Sequence, residues 1–397
     1  MTSQIQGRYF GARGPLFRLY ILTSLLTLLT LGIYRFWAKT RIRKYIWSAT
    51  TGDEDSFEYT GTGLEKFLGF LVAIVILAIY LGIVQMALFY FGLNLFVDPQ
   101  NQGQELAQIG AIYLTLLAVL PLMLFARYRA RRYKMARSRW RGIRFGMENG
   151  AWGYAGRALG YYVLNAMTLG LLNPLATFRL EKYMADRTWY GGARFEQSGR
   201  WQDLYAGMKH VFIGLAIVIA GGILLAIFAA MMGVFGAAIG GIFIFVGYIW
   251  LLIGLVHYRV YAFNYLTRHK ILDGEVSFDA NLATGQIVRI VVVGTIVISV
   301  LMAVVFGVIG GVFATMASAV MAGNIALVIL IGVLYLGAFL IAGALSLVMI
   351  TQPIIEHAVN HVTVHNADHL NTIQQRAADA GADAEGFADA LDVGGAI

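Results

Sequence analysis

Four histidines, His357, His361, His365 and His369, recur every four residues near the C-terminal end of a 397-residue chain that has no cysteine. On a helix this spacing gives one slowly drifting stripe. Neutral imidazoles four residues apart bind zinc, nickel or copper, and they titrate near neutrality. Neither a thiolate nor a convergent carboxylate accompanies them, as a closed zinc site ordinarily requires. The competing reading is a solvated, weakly basic face, and the β-branched run Val362, Thr363, Val364 weakens the helix itself.

A second constellation interleaves cations with aromatics. Arg41, Arg43 and Lys44 lie among Tyr34, Trp37, Tyr45 and Trp47. Arg129, Arg131, Arg132 and Arg137 form the densest copy, and Arg179 with Lys182 forms another. Tyr and Trp favour the headgroup level of a bilayer and Lys and Arg snorkel toward it, so interfacial anchoring is the plain reading. The functional reading is a site for an anionic lipid or solute, each basic residue contributing about 1 kcal/mol near an anionic surface. Gln85, Asn165 and Asn173 are amides within apolar runs. They are candidates for a membrane-interior polar site, against the simpler account of hydrogen bonds between helices. No Walker loop, Rossmann fingerprint, HExxH or GxSxG element is present. Neither a cofactor nor an enzymatic activity is expected.

The elements that must position these residues are membrane spans. The chain is 59% apolar and 13% charged, against about 25% charged in soluble domains. Runs such as Phe67–Val97, Ile109–Ala126, Val211–Met232, Ile242–Val256, Ile290–Val312 and Ile325–Ile350 match the roughly 20 apolar residues that a hydrocarbon core demands. The net charge of +8 reflects the positive-inside bias rather than nucleic-acid binding. Linkers 98–108, 230–240 and 313–324 contain no Lys or Arg. The basic modules and both termini are therefore expected in the cytoplasm of a bacterial cell, on its inner membrane.

The modules repeat. The stretch from Thr30, TLGIYRFWAKTRIRKYIWSATTGDEDSFEYTG, aligns without gaps on that from Thr168, TLGLLNPLATFRLEKYMADRTWYGGARFEQSG. Weaker copies contain Arg129, Tyr133 and Phe145, and Arg259, Phe263 and Phe278. Each ends in a short alternating segment that reads as a strand. Leu16–Trp37 and Ala158–Phe178 are both interrupted by Thr-Leu-Gly. A single crossing at either would put a basic module outside, so both are read as broken, re-entrant or in-plane elements. The expected fold is an all-α polytopic membrane protein with internal duplication. It has about six transmembrane helices and two broken ones, eight crossings being the alternative. Residues 1–152 and 153–285 form two halves about a twofold axis along the membrane normal. A transmembrane hairpin (286–352) and a cytoplasmic tail (353–397) follow, the tail poorly ordered from Asp368 except for a contact helix near Glu385–Val393.

The segment FGARGPLFRLYILTSLLTLLTLGIYRFWAKTRIRKYIW, continuing into FEYTGTGLEKFLGF, resembles the signature of the YjgN-like bacterial inner-membrane proteins, whose function is unknown. The likeness extends to EGFADALDVGG near the end, while PIIEHAVNHVTVHNADH departs from the Arg-Tyr pattern. The resemblance implies an integral inner-membrane protein and brings no reaction, ligand or partner. Duplication with matching helix breaks suggests a transporter-like or channel-like protein. The alternative is a non-transporting module binding anionic lipids or a protein partner through its basic modules.

Overall fold

Short strands and helical hairpins alternate along the chain in the computed structural model, which describes residues 3–95, 97–318 and 324–376. Strand β1 (Gln4–Tyr9) leads into α1 (Arg13–Leu29) and α2 (Arg35–Ser48), then β2 (Thr50–Gly52). The plan recurs as β3 (Asp55–Tyr59), α3 (Gly63–Tyr90), α4 (Gln102–Ala136) and β4 (Ser138–Trp140). Next come β5 (Ile143–Met147), α5 (Ala151–Met167), α6 (Asn173–Ala185) and β6 (Thr188–Tyr190). The fourth set is β7 (Ala193–Gln197), α7 (Tyr205–Met232), α8 (Val234–Arg268) and β8 (Lys270–Leu272). The last begins with β9 (Val276–Ala280) and α9 (Thr284–Thr315). Its return helix α10 (Ile325–Ser346) passes through a π-helical turn into α11 (Gln352–Asn360), and β10 (Val362–His365) follows. Among the described residues six helices are long and apolar enough to cross a membrane: α3, α4, α7, α8, α9 and α10 with its continuation.

The strands close a ten-stranded antiparallel barrel in which every strand pairs with its sequence neighbours and β1 pairs with β10. This corrects the all-α expectation. The helical membrane part stands, but the strand-like segments are walls of one barrel. Strands of three residues carry almost no local signal, and these are stable only because closure removes every edge.

The ring has five units where the sequence showed four modules. Four β-hairpins turn at Asp53, Arg141–Gly142, Gly191 and Asp273–Gly274, all with positive φ, the conformation a tight hairpin turn demands. The fifth pairs β10 with β1, Gln4 facing His365, and Asn366 leaves β10 with φ 57°. The histidine-bearing segment is thus the missing copy. Both Thr-Leu-Gly breaks point the same way from the barrel, two steps apart in a five-step ring, which replaces the twofold axis. The fourth copy also shifts by two residues. Counting five back from the first residue of each returning strand gives Tyr45, Tyr133, Tyr183 and Tyr265, so Tyr265 rather than Phe263 is the counterpart.

The two breaks share one geometry. Leu31 and Gly32 have φ of 50° and 94°, and Leu169 and Gly170 have 50° and 90°. Gly32 N–H donates to the Thr27 carbonyl (2.7 Å) and Gly170 N–H to that of Asn165 (2.8 Å), a left-handed helix C-cap that glycine adopts without steric cost. Thr30 and Thr168 hydroxyls then accept N–H groups of Tyr34 and Leu172. Each element leaves the barrel and returns to it: the Tyr45 hydroxyl bonds both N–H and carbonyl of Ala12, joining the end of α2 to the start of α1. Helices α1 and α5 have 17 residues each, about 26 Å.

At the turn end of the barrel the chain crosses over after β10. A 3-10 helix (Ala367–Thr372) places Ala367, Leu370 and Ile373 against Ile5, Trp140, Tyr190, Leu272 and Val276. Gly192 N–H donates to the Gln374 carbonyl, and Arg144 N–H to the Gln375 side chain. Residues 368–376 therefore have a defined path, contrary to the expectation of poor order from Asp368. The contact helix near Glu385–Val393 lies outside the described residues.

Candidate functional site

Inside the barrel, equivalent positions hold Phe57, Phe145, Phe195 and Phe278, whose cross-strand partners are Trp140, Tyr190, Leu272 and Val364. The aromatic members pack ring to ring: Phe57–Trp140 at 5.9 Å, Phe57–Phe145 at 6.3 Å and Phe145–Tyr190 at 4.7 Å. In the fifth unit the corresponding pair is Gly7 opposite Gly52. Two side chains are missing from the inner wall there. Val359 of α11 closes on Gly7, where a Cβ would meet its carbonyl oxygen at 2.5 Å, and the Trp140 ring leans over Gly52. A cavity of about 310 Å³ remains, bounded by the four phenylalanines, by Gly7 and Gly52, and by Ala358 and Val359. Leu370 floors it at the turn end, and Phe263 of α8 borders it from the helix side. A second space of about 440 Å³ shares Thr50, Phe57, Phe145 and Val359, and reaches Trp47, Met135 and Ile355 at the helix bases.

Charge gathers at the same mouth. Arg131 of α4 makes a two-pronged bond to Glu181 of α6 (2.7 and 2.9 Å), and Lys270 of β8 donates to the same carboxylate at 3.1 Å. Burial alone pushes the Glu181 carboxyl up, but the two cations outweigh it and hold the group well below the usual carboxylate range. The cluster is a cation pair around one anion, with net charge +1. Arg131 and Lys270 also line a space of about 190 Å³ that shares Phe145 and Phe195 with the barrel cavity and Met135 with the second space. Arg43 occupies the position equivalent to Arg131. It is buried, donates to the Tyr59 hydroxyl at 3.1 Å and stacks on that ring. Burial raises the Tyr9 and Tyr190 phenols to about 12, so both remain protonated.

One contact recurs where helices leave the barrel. Ala12 N–H donates to Tyr45 Oη (2.8 Å), Arg200 N–H to Tyr265 Oη (2.8 Å) and Ala283 N–H to His357 Nε2 (3.2 Å). His357 thus stands in for the repeated tyrosine as acceptor for an otherwise unsatisfied helix-start N–H. This corrects the reading of the four histidines as one helical stripe. His357 and His361 lie with ring centroids 4.2 Å apart at the end of α11, His365 is in β10, and His369, in the 3-10 helix, faces Asp273 at 3.1 Å. Helix α11 stops at Asn360 because the β-branched run is recruited into the barrel. Among the described residues no group of three or more His, Asp or Glu is placed to hold a metal.

The structure sorts the nominated cations into two sets. Arg132 donates to the Met147 carbonyl, Lys182 to the Gln197 carbonyl and Asp186, and Arg137 to Glu65. These groups, with Arg43 and Arg131, join helix ends to the barrel. Arg41, Lys44 and Arg179 are exposed and Arg129 is half-buried. Arg41, Arg129 and Arg179 stand at one equivalent position, nine residues ahead of their strands, a collar of three arginines in which Arg129 lies over the Phe125 ring. The amides are not brought together. Gln85 donates to Thr115 within the α3–α4 hairpin, whereas Asn165 and Asn173 flank the break between α5 and α6. Sequence reasoning missed Glu65 and Glu181, the partners of the arginines, and the Gly7–Gly52 pair. The alternation of Ile5, Gly7 and Tyr9 with Gln4, Gln6 and Arg8 was a legible signal for the first strand.

A family model described as a bacterial protein of unknown function, DUF898, matches residues 4–390. The chain belongs to this family. It is also similar to the inner membrane protein YjgN of Salmonella typhimurium, with 30% identity over 96 residues, 23% of this chain. The chain spans 24% of the length of that relative. No solved structure matches. Family membership agrees with the resemblance drawn from the repeated module and with a multi-pass membrane architecture.

Proposed function

We propose that this protein is a multi-pass component of a bacterial inner membrane whose barrel lies on the cytoplasmic side and binds anionic lipid through the arginine collar. The observation that carries this reading is the recurrence of Arg41, Arg129 and Arg179 at one structural position, where the helical hairpins meet the barrel. Cations at that level attract anionic headgroups by roughly 1 kcal/mol each. The described parts of the uncharged linkers fall at the far ends of the hairpins, which fits the positive-inside bias, and both described ends of the chain lie with the barrel. On this reading α1–α2 and α5–α6 are re-entrant hairpins whose exposed Leu31 and Leu169 tips enter the hydrocarbon.

A transporter-like or channel-like role draws less support. Leu370 and Ile373 cover the turn end of the barrel, and the broken helices contribute no residue to the barrel cavity. The test is lipid retention in nanodiscs containing phosphatidylglycerol and phosphatidylcholine. Replacing Arg41, Arg129 and Arg179 by Gln should abolish the preference for the anionic lipid and its salt dependence. An unchanged preference overturns the collar reading. Solute flux in proteoliposomes that is lost on Asn173 or Gln85 substitution would favour transport instead.

A further inference from the structure

The Gly7–Gly52 pair breaks the fivefold regularity of the barrel, and although Val359 and Trp140 close on the two glycines, a cavity remains beside them. Four units fill the inner wall with a phenylalanine and a partner as large as Val, Leu, Tyr or Trp. A barrel needing only a packed core would repeat that solution in the fifth, because an empty apolar volume forfeits dispersion contacts and costs stability. The cavity is lined almost throughout by hydrocarbon and aromatic groups, and its roughly 310 Å³ falls at the low end of small-molecule sites, about 300–1,000 Å³. At about 30 Å³ per methylene-sized particle, close to the liquid volume of one water, it accommodates on the order of ten carbons. That suits one aliphatic chain of about that length.

The way in and the charge at the mouth define the occupant further. Leu370 covers the turn end, and the 440 Å³ space beside Trp47, Met135 and Ile355 adjoins the cavity on the helix side. The adjoining polar space holds Arg131 and Lys270 around Glu181, an excess of one positive charge beside Phe145 and Phe195. We propose that the barrel mouth binds a single-chain anionic amphiphile, its chain among the four phenylalanines in the cavity that borders Gly7 and Gly52 and its head beside Lys270 and Arg131. The occupant is a monoacyl acid, free or carrying a phosphate head, with about ten chain carbons inside the barrel. This inference shares with the preceding reading only the placement of the mouth toward the membrane; the collar arginines play no part in it.

Trp140 forms part of the cavity wall and reports occupancy. The full chain in nanodiscs is titrated with a fatty acid brominated near its methyl end, and quenching of the Trp140 contribution is isolated by subtracting the Trp140→Phe variant. Saturable quenching is expected, and it should disappear in two cavity-filling variants, Ala358→Phe and Val359→Phe, whichever folds better. The methyl ester should bind about tenfold more weakly than the acid, the loss of one charge-assisted contact. Lys270→Gln should erase that difference. Competition by an unbrominated lysophosphatidylglycerol identifies the phosphate-headed source, and its failure identifies the free acid. Quenching that is non-saturable, or that survives both filling variants, overturns the proposal, and equal affinity of acid and ester overturns the assignment of the head. The Arg41, Arg129 and Arg179 triple variant should quench like the wild type, so failure of the collar reading and failure of this one are separable.

Discussion

Substituting Glu181 by Gln tests whether the charge cluster at the barrel mouth holds three units of the ring together. Glu181 joins α6 to α4 through Arg131 and to β8 through Lys270, and the three side chains are only 19%, 29% and 22% exposed. Gln keeps the shape but turns two cations toward a neutral amide, one of whose ends is itself a donor. Breaking a fully buried pair costs about 3–5 kcal/mol. With a fifth to a third of each side chain reaching solvent, screening reduces this to roughly 2–3 kcal/mol. In a chain of this size about 2 °C is lost per kcal/mol, so the midpoint of thermal unfolding in nanodiscs should fall by about 4–6 °C. Hydrogen exchange should quicken first in β6 to β8. The pH dependence has a defined sign. Burial favours the neutral acid, but Arg131 and Lys270 hold the folded carboxyl far below the usual range, so its stabilisation is complete above the unfolded value near 4.3. It is lost only as pH falls further toward the folded value. The gap between wild type and variant should therefore be flat from pH 8 to 5 and narrow in stronger acid. A midpoint shift below about 1 °C, or a gap that closes between pH 7 and 5, would refute this account.

Other substitutions separate structural roles from chemical ones. Gly32→Ala and Gly170→Ala place a Cβ on left-handed backbone and should each cost about 1 kcal/mol in denaturant titration, whereas Gly82→Ala, mid-helix in open space, should stabilise by up to about 1 kcal/mol; equal effects would show that the breaks are not left-handed caps. His357→Ala should cost about 1 kcal/mol by stranding the Ala283 N–H and His357→Tyr should restore it, as read by thermal melts; a Tyr variant as weak as Ala would sink the equivalence. Zinc affinity, measured by calorimetry, should be indifferent to His365→Ala and His369→Ala, because neither residue shares a face with His357; a tenfold loss would reinstate a joint metal site. Exchange protection of residues 367–373 should fall in His369→Ala, which removes the 3.1 Å contact to Asp273; unchanged protection would show that this contact does not hold the crossover.

The helical part was legible because its signals are local. Long uncharged runs announce spans, and a glycine after a helical threonine and leucine announces the breaks at Gly32 and Gly170. The recurrent phenylalanines were legible too, although as isolated strand ends. Their meeting in one barrel was not, because a strand such as Ser138–Trp140 is too short for any periodicity and gains its meaning from partners distant in sequence. The fifth unit was hidden twice. Its strands lie at opposite ends of the described chain, and its aromatic position holds His357 instead of tyrosine. The arginines were conspicuous as a class, but only three-dimensional structure shows which of them are tied to Glu65, Glu181 and backbone carbonyls.

The pairing of β1 with β10 also sets a clock. Tyr9 leaves the ribosome about 350 residues before His365 does, and at roughly 5–20 residues per second the delay is on the order of 20–70 s. Throughout that interval all six apolar helices are being inserted while one side of β1 has no neighbour. An exposed strand edge is a template for the wrong partner, including the same edge on another nascent copy. The shortness of the strands, the outward Gln4, Gln6 and Arg8, and the bare Gly7 make β1 a poor template, so the ring can wait for its last member.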